Sequence, residues 1–503
     1  MRILVTGGTG VIGKPVIDRL IQRGHSVRLL SRNAERDAGL WPERVEPYSG
    51  SVSDAGLVRG AAEGCDAVLH IAGIVAEEPP AVTFQEVNVE GTRRLLEEAQ
   101  RAGAARFVYV SSLGASHGAS DYHCSKREAE ELVRGFQGSW LVLRPGKVYG
   151  PGDDVISTLL AMVRTLPAIP TVGWGKQPFQ PIWMDDLAQC LVAAAEAEEP
   201  AGVTLELAGS EVTTTAEVLE ILGEITGRSP PRLPLPASVI GAGSSLAESL
   251  GFQPGINDDV LTMLAEENVI EGEENALVTV FNVSPTPLRD GLRRLADELP
   301  ERLPSEGVGP LYRHRYWADI RGGRLDADAL FTLVCDHFGE LAPEPLLEVD
   351  AEGRGEVALR PGATLTLSVP LRGTIQVRVE EVRDRAATSV TLAGHPLSGM
   401  IRFLVRELTA HDGGPQPLRF EVRSYFRGSN VADRAVMATV GRPLQETTWR
   451  SLVEAVVQRS GGEAVEGVQT SHGRLSEDEA EHVERWVEGL VMRRQREEAD
   501  QRA

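Results

Sequence analysis

The chain is poor in cysteine, has no long apolar run and carries no excess of positive charge. Each shortage excludes a class of function. Four cysteines (Cys65, Cys124, Cys190, Cys335) are scattered over 503 residues, with no C-x-x-C pair and no histidine at metal-finger spacing. That pattern excludes a disulfide-stapled scaffold and a zinc finger, implies reduced thiols, and gives no metal site. No apolar stretch approaches the roughly 20 residues that span a bilayer. Lysine and arginine total 51 against 73 aspartates and glutamates, a net charge of −22, which disfavours non-specific binding to nucleic acid or anionic membranes. There is no internal repeat and no long low-complexity segment. The first apolar stretch is broken by glycines after a few residues, so it reads as a strand rather than a secretory signal, and a cytoplasmic location is the expectation. The length predicts about two to three domains.

What is present begins with MRILVTGGTGVIG, Met1 to Gly13. An apolar run (Ile3, Leu4, Val5) leads into Gly7, Gly8, Gly10 and Gly13, then an amphipathic segment that reads as a helix to Arg23. Strand, glycine turn and helix in this order form the context of a dinucleotide loop. Gly7 permits a backbone conformation closed to other residues, Gly10 lets the main chain approach a pyrophosphate, and Gly13 lets the helix pack closely. The amides that open the helix, those of Val11 and Ile12 among them, face the phosphates together with the helix dipole. The second strand, Ser26–Ser31, ends on Ser31-Arg32 where an NAD site carries an acid. A guanidinium beside a hydroxyl suits a 2′-phosphate, so the expected cofactor is NADP(H) in preference to NAD(H).

Further strands are expected over Val45–Tyr48, Ala67–Ile71 and Phe107–Val110, with helices over Ala55–Glu63 and Val87–Ala102. Strands alternating with helices at this pace predict parallel βαβ units. Ala72-Gly73, after the fourth strand, let the backbone run under a ribose. The fifth strand ends at Ser111-Ser112, and about ten residues later Tyr122 and Lys126 stand four apart at the start of a helix expected over Ser125–Arg134, which places them on one face. An ammonium beside a phenol, with the positive ring of an oxidised nicotinamide, lowers the phenol pKa toward neutrality and makes Tyr122 a general acid or base. Ser112 would orient the substrate oxygen.

The set TGGTGVIG, SR, HIAG, NVEGT, VYVSSLGA, YHCSK and LRPGKVYGPGD resembles an extended or atypical short-chain dehydrogenase/reductase over about 300 residues. Within that superfamily, SSLGA, FQPIWMDDLA (Phe179 to Ala188) and VLTMLAEENVI (Val260 to Ile270) are similar to the nucleoside-diphosphate-sugar epimerase-like group that includes the NADPH-binding accessory subunit of respiratory complex I. The resemblance implies a Rossmann doubly wound sheet with a small substrate lobe, pyrophosphate binding by Gly7, Gly10 and Gly13, 2′-phosphate binding by Arg32, and a small-molecule substrate. Tyr122 and Lys126 would meet the ribose and the reacting oxygen. Two positions depart from the pattern: the third residue of the serine cluster is Leu113, so Ser112 or Ser111 replaces it, and Gly50-Ser51-Val52 stands where an acid often follows glycine.

This reading assigns 1–302 to the nucleotide-binding unit, with a lobe mainly over 150–302 where Trp174, Phe179, Gln180 and Trp183 are pocket candidates. A Pro-, Gly- and Arg-rich stretch, 303–325, reads as a linker. Period-two alternation over Thr364–Val369, Thr374–Glu381, Ser389–Leu392, Gly399–Val405 and Leu418–Phe426, with helices over Asp326–Phe338 and Glu446–Arg459, predicts an α+β domain with an antiparallel sheet over 326–475. GHPLSGMIRFLV before RFEVRSYFR resembles START-like, helix-grip domains, which implies an apolar ligand between sheet and helix. Arg402, Arg419, Arg423, Arg427 and His395 are candidates for its polar contacts. The charged tail, 476–503, reads as a helix that docks on the body or on a second subunit of a homo-oligomer. Two functions follow: an NADP(H)-dependent oxidoreductase or epimerase, and a non-catalytic NADPH-binding redox sensor or assembly factor.

Overall fold

The computed structural model describes the chain except residues 42–43, 81, 167, 236–266, 273, 344–347, 350–356, 370–372, 410–415, 431–432, 435–440 and 503. The helical signals expected near Pro236–Leu250 and Asp258–Glu267, with most of VLTMLAEENVI, lie largely outside the described residues.

The first unit alternates strands and helices: β1 (Arg2–Thr6), α1 (Gly13–Gln22), β2 (Ser26–Ser31), α2 (Ala34–Ala38), β3 (Val45–Ser49), β4 (Ala67–His70), α3 (Gly91–Ala102), β5 (Arg106–Val110), α4 (Asp121–Arg134) and β6 (Ser139–Pro145). The lobe helices α5 (Ile156–Thr165), α6 (Met184–Glu196), α7 (Thr215–Thr226) and α8 (Leu288–Asp297) follow, with β7 (Val203–Leu207) returning to the sheet. The seven strands are parallel, in the order β7-β6-β5-β4-β1-β2-β3. Both faces are covered, which is why the strands read as unbroken apolar runs. Ile3, Val5, Leu29 and Leu69 pack on α1 and α6, while Leu4, Val68, Phe107 and Tyr109 pack on α3 and α4. Strand order reverses between β1 and β4, and the crevice at that switch point is where such sheets bind ligands.

Several helix boundaries differ from expectation, two of them near the site. The helix expected over Ala55–Glu63 is limited to Ala55–Val58, because Arg59 turns extended. The helix carrying Tyr122 starts four residues early, at Asp121, where the Ser120 hydroxyl caps it by accepting from the His123 amide at 3.3 Å.

The second unit is an antiparallel sheet of β8 (Val308–Arg321), β9 (Thr364–Val369), β10 (Gly373–Arg383), β11 (Ala386–Thr391), β12 (Leu397–Glu407), β13 (Leu418–Gly428) and β14 (Gln469–Arg474), with α9 (Ala327–Asp336), α10 (Arg442–Ser460) and α11 (Glu477–Arg502). Neighbours run β9-β10-β11-β12-β13-β8, and β14 also pairs with β8. The expected linker is therefore corrected: most of 303–325 is a 14-residue strand inside this sheet. Its composition concealed an alternation in which Tyr316, Ala318 and Ile320 face the core while Arg315, Trp317 and Asp319 meet Arg423, Glu421 and Arg419 across β13. The inner face packs Phe403, Phe420 and Val422 on Leu330, Val334, Leu452 and Val456 of α9 and α10. On the outer face, Val390, Met400 and Tyr425 pack under Val483, Val487 and Val491 of α11.

A buried ionic network joins the two units to the tail. Glu301 accepts from Arg378 of β10 at 2.6 Å and from Arg494 of α11, and Arg494 also donates to Glu380 at 2.7 Å. Burial, with Glu301 nearby, lifts the Glu380 carboxyl to about 7 against the pull of Arg494. Arg494→Met leaves two carboxylates facing each other out of water and should cost about 3–5 kcal/mol, read as a lower denaturation midpoint; Arg494→Met with Glu380→Gln should recover part of the loss.

Candidate functional site

The glycine turn after β1 is built as its sequence requires. Gly7 has φ of +72°, and a Cβ there would stand 2.7 Å from the Ala72 amide nitrogen. A Cβ on Gly13 would stand 2.1 Å from the Gly7 carbonyl oxygen, so α1 can start this close to the turn only with glycine. Gly10 is exposed, ties its amide to the Gly7 carbonyl at 3.2 Å, and has only that carbonyl near its Cβ position, at 3.5 Å. The outside of the turn is open where a pyrophosphate would lie, and Val11, Ile12 and Gly13 head α1 beside it. The residues present fit a dinucleotide.

The ends of β1 and β4 are locked through one imidazole. Thr92 donates its hydroxyl to the Asn88 carbonyl at 2.6 Å, so it accepts from His70 Nε2 at 3.0 Å. His70 Nδ1 is then the acceptor for the Thr6 hydroxyl at 2.8 Å, and Thr6 Oγ1 in turn accepts from the Ala72 amide at 3.2 Å. Every group is satisfied only with a neutral, Nε2-protonated ring. Complete burial, aided by the charge of Lys126, holds the His70 pKa down at about 3.

Lys126 is buried on α4, where Nζ donates to the Val110 carbonyl at 2.8 Å and lies 4.7 Å from the Tyr109 ring centre. Burial lowers its pKa to about 8, against the pull of Glu130. Gly73 is small for a reason the sequence did not reveal: its Cβ would stand 3.2 Å from Asn88 Oδ1 and 3.3 Å from Lys126 Nζ. Asn88 accepts from the Ile74 amide at 2.9 Å and donates to Ser125, whose hydroxyl donates to the Tyr122 carbonyl. This side chain fixes the 72–74 backbone against α4. It went unassigned in the sequence, although its place in a π-helical turn, Gln85–Glu90, marks it.

Tyr122 is half-buried beside Phe84. Burial raises its pKa to about 12, and the nearby Ser112 pulls it the other way by less. The two candidate serines separate. Ser111 donates to the buried Glu130 at 2.5 Å, a carboxylate also held by Arg144 at 2.7 and 2.9 Å, so its hydroxyl proton is taken. Ser112 is the serine near enough to influence the Tyr122 phenol. Leu113 is buried.

At the end of β2, Ser31 donates to Asp37 and accepts from the Asn33 amide at 3.3 Å, so its hydroxyl is engaged within the loop. Arg32 is exposed. Arg36, four residues on in α2, bonds Asp37 at 3.2 Å and lies 3.8 Å from Glu488 of α11. The lobe aromatics do not form the expected pocket: Phe179 and Trp183 are core residues, Gln180 donates to the Gly209 carbonyl, and Trp174 is 71% exposed. One cation near the crevice was overlooked. Lys147, beyond β6, is half-buried 4.6 Å from the Phe179 ring centre, and burial lowers its pKa to about 8.

Acid should expose the demand placed on His70. Between about pH 6.5 and 3 the unfolded chain protonates this imidazole and the native chain does not, so native stability falls as pH falls through that window. His70→Asn should reduce the slope of unfolding free energy against pH there by about 1.4 kcal/mol per pH unit, one proton, measured by urea titration; an unchanged slope counts against the neutral ring.

Residues 3–208 match the model of the NAD dependent epimerase/dehydratase family. Over 251 residues the chain is 30% identical to a ceramide reductase of Caulobacter vibrioides, covering 49% of this chain and 77% of that protein. It is 31% identical over 261 residues to sterol demethylase protein B of Methylococcus capsulatus, with coverage of 47% and 78%. The mitochondrial NADH dehydrogenase [ubiquinone] 1 alpha subcomplex subunit 9 of Arabidopsis thaliana is 27% identical over 246 residues, with coverage of 47% and 61%. Each match accounts for about half of this chain. The chain belongs to the NAD dependent epimerase/dehydratase family.

Proposed function

We propose that the chain is an NADP(H)-dependent oxidoreductase that reduces a carbonyl carbon of a small, partly apolar molecule, with Tyr122 as the proton donor. The observation that carries the reading is the buried Lys126, four residues along the same helix from Tyr122 and 3.3 Å from the Cβ position of Gly73 after β4. The bound nicotinamide supplies the hydride. The chain's own groups do the rest. Tyr122, with its pKa raised, is a protonated phenol at neutral pH and gives its proton to the carbonyl oxygen as charge develops there. Ser112 holds that oxygen and the phenol in one hydrogen-bonded set. Lys126 keeps a positive charge beneath the ribose side of the crevice, and Lys147 offers a second cation toward the lobe. The amides opening α1 take the pyrophosphate, and Arg32 with Arg36 takes the 2′-phosphate. The ceramide and the sterol in the names of the Caulobacter and Methylococcus relatives support an apolar substrate.

Tyr122→Phe removes the proton donor and leaves the nucleotide cradle intact. Turnover of NADPH with a panel of apolar ketones should fall by at least 100-fold, while NADPH affinity, read by nucleotide fluorescence, stays within threefold; retained turnover rejects Tyr122 as the acid. Arg32→Glu should weaken NADPH binding about tenfold or more and leave NADH binding unchanged or improved, since it sets a like charge against the 2′-phosphate. Equal NADPH affinity in that variant defeats the 2′-phosphate assignment.

A further inference from the structure

The outer face of the second sheet sets arginines side by side. Arg315 of β8 stands opposite Arg423 of β13, which stands opposite Arg402 of β12. Like charges in direct register repel unless something compensates them. For most of this face the compensation is visible. The buried Glu421 accepts from Arg315 at 2.6 Å and from Arg423 at 2.8 Å, Asp319 takes Arg419 through bonds of 2.6 and 2.8 Å, and Glu484 takes Arg427. These arginines lie on the face away from α10, so they are not the polar contacts of a ligand between sheet and helix. His395 is buried at a turn, where it accepts from the Leu397 amide.

Arg402 and Arg406 break the rule. Arg402 is half-buried, donates Nε to Thr388 at 3.1 Å, and stacks 4.9 Å from the Trp486 ring centre of α11. Among the described residues no carboxylate lies within ion-pair distance of Arg402 or of its neighbour Arg406. Burying a guanidinium without a paired anion is unfavourable, and burial, with the charges of Arg423 and Arg406, lowers the Arg402 pKa against the more distant pull of Glu381. The unpaired charge opens on a cleft of about 280 Å³ between the β10–β11 hairpin, β12 and α11. The other charges lining it are already used: Arg383 and Arg493 hold Glu381, while Asp328 and Glu407 hold Arg385. The lining nevertheless counts four arginines (383, 385, 402, 406) against Glu381 and Asp384, in a chain whose net charge is −22.

We propose that this cleft is a binding site for a small molecule bearing an oxyanion, a carboxylate or a phosphate monoester, held by the outer guanidinium nitrogens of Arg402 with Arg406, its carbon frame against Leu404 and Trp486. A planar fork facing a bounded cleft is suited to bidentate capture of such a group. The site lies wholly on the second unit and its tail helix and stands independently of the NADP(H) assignment.

The test uses the full-length protein in calorimetric titrations with benzoate, phenyl phosphate and inorganic phosphate, each with and without saturating NADPH. At least one of the three should bind one per chain, unaffected by NADPH and weakened by added salt. Benzoate against phenyl phosphate distinguishes the two oxyanions. Arg402→Met, which keeps the stem on Trp486, should reduce affinity tenfold or more, Arg402→Lys should reduce it less, and Arg406→Met should reduce it several-fold. The unfolding midpoint and NADPH affinity should stay unchanged. The proposal is overturned if none of the probes saturates, if Arg402→Met and Arg406→Met both bind as the parent does, or if binding is lost whenever NADPH is present, which would place the probe in the nucleotide crevice.

Discussion

A buried lysine and a buried histidine lie close together under the nucleotide crevice, and only one of them can carry a charge. Burial lowers the Lys126 pKa against the pull of Glu130 while its ammonium donates to the Val110 carbonyl, and His70 is held neutral by burial and by that lysine. The neutral ring is what allows one unbroken hydrogen-bond path from the Ala72 amide through Thr6 and His70 to Thr92 and the Asn88 carbonyl. The path ties together β1, the end of β4 and α3. Gly7 and Gly73 then bring the two loops within contact distance of each other and of Lys126, and Tyr122 takes its place from the same helix that carries the lysine.

The chemistry proposed for Tyr122 follows from its burial. Burial raises the phenol pKa and keeps it protonated, which favours donation to a carbonyl oxygen over removal of a proton from an alcohol. The serine cluster divides its labour. Ser111 lies on the Glu130–Arg144 side of the sheet and completes a buried ion pair, and Ser112, in extended backbone one residue on, stands near the phenol.

The second half of the chain is joined to the first by charge and by packing. Leu392 enters the apolar cluster of the lobe, and Glu301, Arg378, Glu380 and Arg494 share one buried network. The tail helix α11 lies over the arginine-bearing face of the second sheet through Trp486 and reaches Arg36, in α2 of the first unit, through Glu488. Two residues of one helix therefore touch both units.

Local rules in the sequence determined the parallel sheet, the glycine turn, the Tyr-Lys face of α4 and five strands of the second unit. Periodicity and glycine sterics act over a few residues and can be read without a partner. Tertiary structure decided the rest. That 308–321 is a strand inside a sheet depends on β13 pairing with it from 100 residues away, and its arginines become legible only against Glu421 and Asp319. The sequence could not show that Asn88 and Lys126 flank Gly73, that Ser111 is consumed by Glu130, or that burial raises the Tyr122 pKa, because each depends on which side chains are desolvated together. The same holds for the glycine stretch, Met1 to Gly13. Its composition marks a tight glycine turn between strand and helix, and only the packed neighbours show that Gly7 is pressed against Ala72 and that Thr6 is held by His70.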